Sequence, residues 1–351
     1  MTERKTHSAI DVFKIICALL IVAIHVRPFA SVSKVLDFYV VDVAARLAVP
    51  FFYAATAYFF FGSLAFSEDG TVLCCRENHG RLAKYIGRIL MLYAVWSVIH
   101  LLWQIPNWYS IGWKGIPAVV DYVVIFFLKG SVYYFWYFVS LIYGAIALYV
   151  LLLAANIKTA CCLAALLYLV KCAVYGYTWT GIPLLDRLSG IWNALSGPLD
   201  GVCLTLPFMT VGVLAARKVE VYRYALRHWK LGMIISLLCL AAEASFLFFF
   251  GGNTGMYSYI VFTLPVCLFL FAFVAERTVG CLGRISGFTL RKFSTVLFCV
   301  HPLVIQLCGL NEVYRALGNP AKYVVVLIVS SVLAVGAVML RKRWRVMAYL
   351  M

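Results

Sequence analysis

Ten times in succession this chain runs apolar for close to the length of a membrane span, with only short polar or basic breaks between the runs. A bilayer core about 30 Å thick takes roughly 20 helical residues to cross. Backbone crossing lipid must satisfy its own hydrogen bonds, which leaves helices or a closed barrel. The runs are continuous rather than alternating, and that selects helices. The expected fold is an all-α polytopic membrane protein, a single domain over 1–351. Its ten spans are expected at about 12–29, 42–65, 82–103, 136–155, 159–176, 199–216, 231–250, 256–275, 292–310 and 322–340. A run at 117–128 is too short to span and reads as re-entrant, interfacial or the start of the fourth span.

Composition agrees: 64% of the residues are hydrophobic and 13% charged, against roughly 45–50% and 25% in soluble domains. The net charge of +16 would suggest nucleic acid in a soluble protein, but here the basic residues lie in short loops. Orientation in the bilayer explains them better, and no nucleic-acid partner is expected. With the N-terminus inside, one set of loops carries Arg4 and Lys5, then Arg76, Arg81 and Lys84, then Lys158, then Arg217, Lys218, Arg223, Arg227 and Lys230. Arg277, Arg284, Arg291 and Lys292 follow, and Arg341, Lys342, Arg343 and Arg345 close the tail. The other set has only Lys34, Lys114, Lys129, Arg187, Arg315 and Lys322. Both termini are therefore expected in the cytoplasm of a multi-pass cell-membrane protein. No cleaved leader and no attached soluble domain is expected. The cysteines lack ligand spacing, so neither a metal site nor a disulfide is expected.

Two outside segments, 104–135 and 177–198, are rich in aromatics: Trp108, Tyr109, Trp113, Trp179 and Trp192, with Trp103 at the border. An interfacial belt accounts for them; a stacking surface for a sugar is the sharper alternative.

His25 is the residue most out of place, an ionisable group inside an apolar run, which marks it as a functional candidate. Lys14 precedes it by eleven positions, three turns on one helix face and about 16 Å along the axis. Such a lysine can hold an anionic donor while the imidazole takes a proton from a nucleophile. The structural alternative has Lys14 reaching for headgroups and His25 bonded to a backbone carbonyl. Arg46, one turn before Pro50, sits at a depth similar to His25 and Arg27. Two arginines beside a histidine suggest an electropositive pocket that favours neutral imidazole. Glu243 is a buried carboxylate in want of a cation, which Arg46, Arg27 or Lys171 could supply, and is a candidate for the catalytic group. His301-Pro302 marks either a kink or a further site residue, and Trp136-Tyr137 opens the fourth span from outside. No GxSxG, HExxH, phosphate-binding glycine loop or paired-carboxylate motif is present.

These residues carry a resemblance. Lys14 and His25, separated by ten residues, resemble the basic-residue–ten–histidine motif of the membrane acyltransferase 3 family. Arg46 to Tyr53 is similar to that family's second-helix segment, Arg88 to Trp96 to its third-helix pattern, and Val296 to Leu303 to its late His-Pro helix. Ile10 to Ala18, Phe135 to Phe138 and Gly255 to Tyr257 are nearer to one branch, the membrane domains joined to vancomycin-resistance serine racemases. This chain stops at Met351, so racemase chemistry is not implied. Two departures stand out. Thr56-Ala57-Tyr58 replaces the family's Ser-Gly-Tyr, and Leu199-Asp200-Gly201 stands where the branch has Arg-Asn-Gly.

The resemblance implies an integral membrane O-acyltransferase, moving an acetyl group from cytoplasmic acyl-CoA to a hydroxyl of a cell-surface glycan or small envelope molecule. It implies no bound cofactor. Its catalytic set would be His25 as general base with Arg46 and Glu243, its donor contacts Lys14 and Arg88, and its acceptor contacts Arg27, Trp136, Tyr137 and His301. The alternative is a carrier or binding module for L-serine or a similar small polar solute.

Overall fold

The structure, a computed structural model, describes residues 8–110, 112–194, 198–251, 259–279, 287–341 and 343–351. It is all-helical among these residues, apart from one isolated bridge between Phe66 and Val72. Eleven helices matter below: α1 Ser8–Val26, α2 Ala48–Gly62, α3 Arg76–Ser110, α4 Gly115–Leu128, α5 Trp136–Ala154, α6 Ile157–Gly176, α7 Pro198–Ala216, α8 Trp229–Phe250, α9 Thr263–Ala275, α10 Gly287–Cys308 and α11 Asn319–Leu340. Each expected span has a helix at its place. Among the described residues, seven stretches are long and apolar enough to cross a membrane, or up to eight when Gly201–Ala216 and Glu220–Arg227, bent by 83°, count as one. The protein is a multi-pass helical membrane protein.

The element boundaries follow local chemistry. Helix α3 covers 35 residues, about 52 Å at 1.5 Å per residue, and so extends beyond the expected 82–103 at both ends. Helix α1 stops at Val26 because Arg27 adopts a left-handed backbone, φ 52°. Before α2 the chain is already helical, as a π-helix at Phe38–Ala44 followed by a 3-10 turn at Ala45–Leu47. The expected short run 117–128 lies within α4. Residues 256–258 of the expected eighth span, together with Arg4, Lys5, Arg284, Lys342 and the side chains of Tyr109, Leu199 and Asp200, lie outside the described residues.

At the centre α7 packs on α2 and α5, and α1 packs on α2 and α10. Small residues permit this. A Cβ at Gly212 of α7 would fall 2.2 Å from the Ala54 carbonyl oxygen of α2, and one at Gly144 of α5 would fall 2.4 Å from Thr205 of α7. Helices in lipid gain stability from such close backbone approach rather than from water exclusion. The missing family glycine at Ala57 has its counterpart across the interface, because Ala57 faces Gly212.

Candidate active site

Two cavities lie in tandem along the inner face of α1. The first, about 440 Å³, is lined by Lys14 of α1, Thr56 of α2, Tyr85 and Arg88 of α3, and Arg291 of α10. The second, about 380 Å³, is lined by His25, Arg27, Arg46, Pro50, Tyr134 and Trp136. Tyr137 and Phe298 line both, and their rings meet at 5.3 Å, edge to face. These two rings, from α5 and α10, therefore stand in the wall that the cavities share.

Lys14 faces the protein, with Nζ 5.2 Å from the centre of the Phe59 ring, and does not reach for headgroups. Arg291 stands 3.8 Å from Asp11. Tyr85 stacks on Phe60 at 4.2 Å, and its hydroxyl is buried without a hydrogen-bond partner. Three cations and several hydroxyl side chains, Thr56, Tyr85, Tyr137, Ser294 and Thr295, in a chamber otherwise lined by apolar residues make a site for an extended, anionic, partly apolar molecule.

In the second cavity the His25 ring meets Tyr134 edge-on at 4.4 Å and stacks against His301 at 5.5 Å. His301 is fully buried and lines neither cavity, so the structure brings it behind His25 rather than to an acceptor. Pro302 removes an N–H from α10. The His301 Nδ1 donates back to the Leu297 carbonyl at 3.3 Å, and its Nε2 is left buried without a partner. A second buried histidine, His100 of α3, holds the same region, with Nε2 donating to the Cys299 carbonyl at 3.1 Å.

The expected electropositive pocket is instead charge-balanced. Arg27 donates to Asp37 at 2.8 Å and to both carboxylate oxygens of Asp42 at 3.0 and 2.7 Å. Asp42 also lies 3.6 Å from Arg46. Here the buried groups are the two carboxylates, which need such cationic partners, and both acids come from the segment just before α2. The Arg27 carbonyl accepts from Asn319 at the start of α11 at 3.1 Å. A non-glycine residue in left-handed conformation persists only where its surroundings over-determine it. Arg27 is thus a joint between α1, the α2 approach and α11.

Glu243 is not brought to this group: it lines neither cavity. Its carboxylate accepts from the backbone N–H of Val261 at 2.8 Å and Phe262 at 3.0 Å, and from the Tyr177 hydroxyl at 2.9 Å. The cation expected as its partner is replaced by backbone donors left over at the start of α9. Lys171 sits instead among aromatic rings, 3.4 Å from the centre of Tyr175.

Gly130 positions the α5 entrance. Its φ is 104°, and a Cβ there would fall 2.5 Å from the Trp136 nitrogen. The turn that delivers Tyr133, Tyr134 and Trp136 to the second cavity therefore requires glycine. Tyr134, Phe298, Asp37 and Asp42 are site residues that sequence reasoning missed. The two acids had a signal: the chain has only 14 Asp and Glu, and these two precede the Arg46 motif directly. Among the described residues, no group of three His, Cys, Asp or Glu is placed to hold a metal.

The profile described as "Acyltransferase domain" matches residues 7–340, and the chain belongs to this family, Acyl_transf_3. It is similar to an "Amino-acid racemase" of Enterococcus faecalis, 28% identical over 347 residues, covering 97% of this chain and 47% of that protein. It is also similar to a "Serine/alanine racemase" of Enterococcus gallinarum, 28% identical over 306 residues, covering 85% of this chain and 41% of that protein. The chain thus spans less than half the length of these relatives. No solved structure matches it.

Proposed function

We propose that the protein carries an acyl group across the membrane, from acyl-CoA in the first cavity to an acceptor hydroxyl in the second. The observation that carries this reading is the pair of cavities that share Tyr137 and Phe298 in their walls. The basic loops favour ten spans with both termini cytoplasmic, which puts the Lys14 cavity towards the cytoplasm and the His25 cavity towards the outer face of the cell membrane. Lys14, Arg88 and Arg291 would hold the phosphates of the donor. The thioester would reach the partition, and Trp136, Tyr137 and Arg27 would frame the acceptor, a hydroxyl of a cell-envelope glycan.

His25 would take the proton of that hydroxyl as its oxygen attacks the thioester carbon. Arg46 would face the tetrahedral oxyanion. Collapse breaks the carbon–sulfur bond, and the imidazolium returns the proton to the leaving thiolate. His301 would support His25 from behind, and Glu243 drops out of the catalytic set. An acetyl group is the expected cargo.

The test uses inverted membrane vesicles from cells with and without the gene, supplied with acetyl-labelled acetyl-CoA. Label entering luminal envelope material only when the protein is present supports the reading. The second reading, inward carriage of L-serine, is favoured by the names of the racemase relatives. It predicts serine flux in intact cells and no label transfer in the vesicles.

A further inference from the structure

A third cavity, about 450 Å³, adjoins the second on the side away from Lys14. The two share Tyr133 and Trp136. The third is walled by Trp108 at the end of α3, by Trp113, and by Tyr122 of α4. These rings support one another: Trp108 meets Trp113 at 4.4 Å, near-perpendicular, and Tyr122 at 5.3 Å. The Trp113 indole N–H donates to Asp121 at 3.3 Å, which fixes its plane. Belt residues lie singly along a headgroup layer; here three aromatics face a common volume.

One polar atom in that wall is unused. Gln104 lines the cavity, and its Oε1 is buried without a hydrogen-bond partner. A buried amide oxygen left unsatisfied is costly and points to a donor that arrives with a ligand. Lys129 is the one charged residue in the lining and no carboxylate joins it, so the ammonium of a free amino acid finds no counter-charge there. A sugar ring needs none. One pyranose face presents C–H bonds suited to an aromatic wall, and its hydroxyls suit an amide oxygen.

We propose that this cavity binds a sugar ring of the acceptor, stacked on Trp108 with a hydroxyl donating to Gln104. A neighbouring hydroxyl then passes between Tyr133 and Trp136 towards His25. The proposal rests on the acyltransferase reading and adds to it a binding subsite for the acceptor.

The experiment titrates the purified full-length chain with methyl glycosides of glucose, galactose and N-acetylglucosamine, following tryptophan fluorescence. L-serine and phosphocholine serve as the non-sugar probes. At least one glycoside should saturate. Trp108→Ala and Gln104→Leu should each weaken it tenfold or more, the scale of one stacked ring or one well-placed hydrogen bond. Trp179→Ala, outside the cavity, should bind as wild type, and Trp108→Phe should restore most of the affinity should the alanine variant fail to fold. Saturation by no glycoside, by serine or phosphocholine instead, or with equal affinity in the two cavity variants, would overturn the proposal. The vesicle assay separates the two layers. Acyl transfer without glycoside binding removes the sugar subsite alone. Glycoside binding at Trp108 without acyl transfer removes the catalytic reading and leaves the subsite.

Discussion

Gly212→Ala should loosen the centre of the bundle more than any exposed substitution, although it adds a single methyl group. The added carbon would lie 2.2 Å from the Ala54 carbonyl oxygen, 2.7 Å from the Tyr58 nitrogen and 2.8 Å from the Ala57 Cβ. Two of these three atoms are α2 backbone, so no rotamer change relieves them. To regain contact distance, α2 and α7 would have to part by about 1 Å, which forfeits dispersion along the interface. Overpacking of this kind costs about 1–3 kcal/mol, and backbone contact puts it near the upper figure. At roughly 2 °C per kcal/mol for a chain of this size, the midpoint should fall by about 6 °C. The control is Gly87→Ala, with nothing within 4 Å of its Cβ; helix propensity alone predicts a small gain there, about 0.5–1 kcal/mol. The assay is thermal unfolding in one detergent, read by tryptophan fluorescence. Adding Ala57→Gly should not rescue Gly212→Ala, because it removes only the side-chain contact. Gly212→Ala melting within about 1 °C of wild type, or full rescue by Ala57→Gly, would refute the packing argument.

Three further outcomes are expected. Glu243→Gln should lower the melting temperature, since an amide has one acceptor oxygen and leaves one of the two backbone N–H groups facing its NH2, while the folded fraction keeps its kcat. A hundredfold loss of kcat with an unchanged melting temperature would return Glu243 to the catalytic set. Phe298→Leu should thin the partition and raise acceptor-independent thioester hydrolysis relative to transfer, measured as thiol released without acceptor; an unchanged ratio would show that the ring separates nothing. Reporter fusions after Arg345 and after Lys114 should report opposite sides of the membrane, and a common side would sink the ten-span count.

The sequence made the scaffold class legible because lipid imposes one strong constraint, and the described residues form a helical bundle with seven or eight stretches able to span. It also made His25, Arg46 and Lys14 legible, because ionisable groups inside apolar runs are conspicuous. Their partners were hidden by distance along the chain. His25 meets Tyr134 and His301, and nothing local to α1 announces contacts with residues so far away in sequence. Glu243 was misjudged for a related reason. A buried carboxylate needs donors rather than a cation as such, and the amides of Val261 and Phe262 are exposed only because the chain breaks between α8 and α9. The charge of the second cavity was misjudged because Asp37 and Asp42 were not matched to the arginines. The π-helix at Phe38–Ala44 brings Asp42 onto Arg27 and Arg46, and such segments leave little trace in residue patterns.

The central claim is that His25 is the base for acyl transfer between the two cavities. The most direct measurement compares wild type and His25→Ala in the inverted-vesicle assay, at matched protein level and with the melting temperature of each variant recorded. The account predicts at least a hundredfold lower rate of label transfer from acetyl-CoA, the scale of general acid–base catalysis, in a protein that still inserts and folds. Transfer by His25→Ala within tenfold of wild type would contradict it.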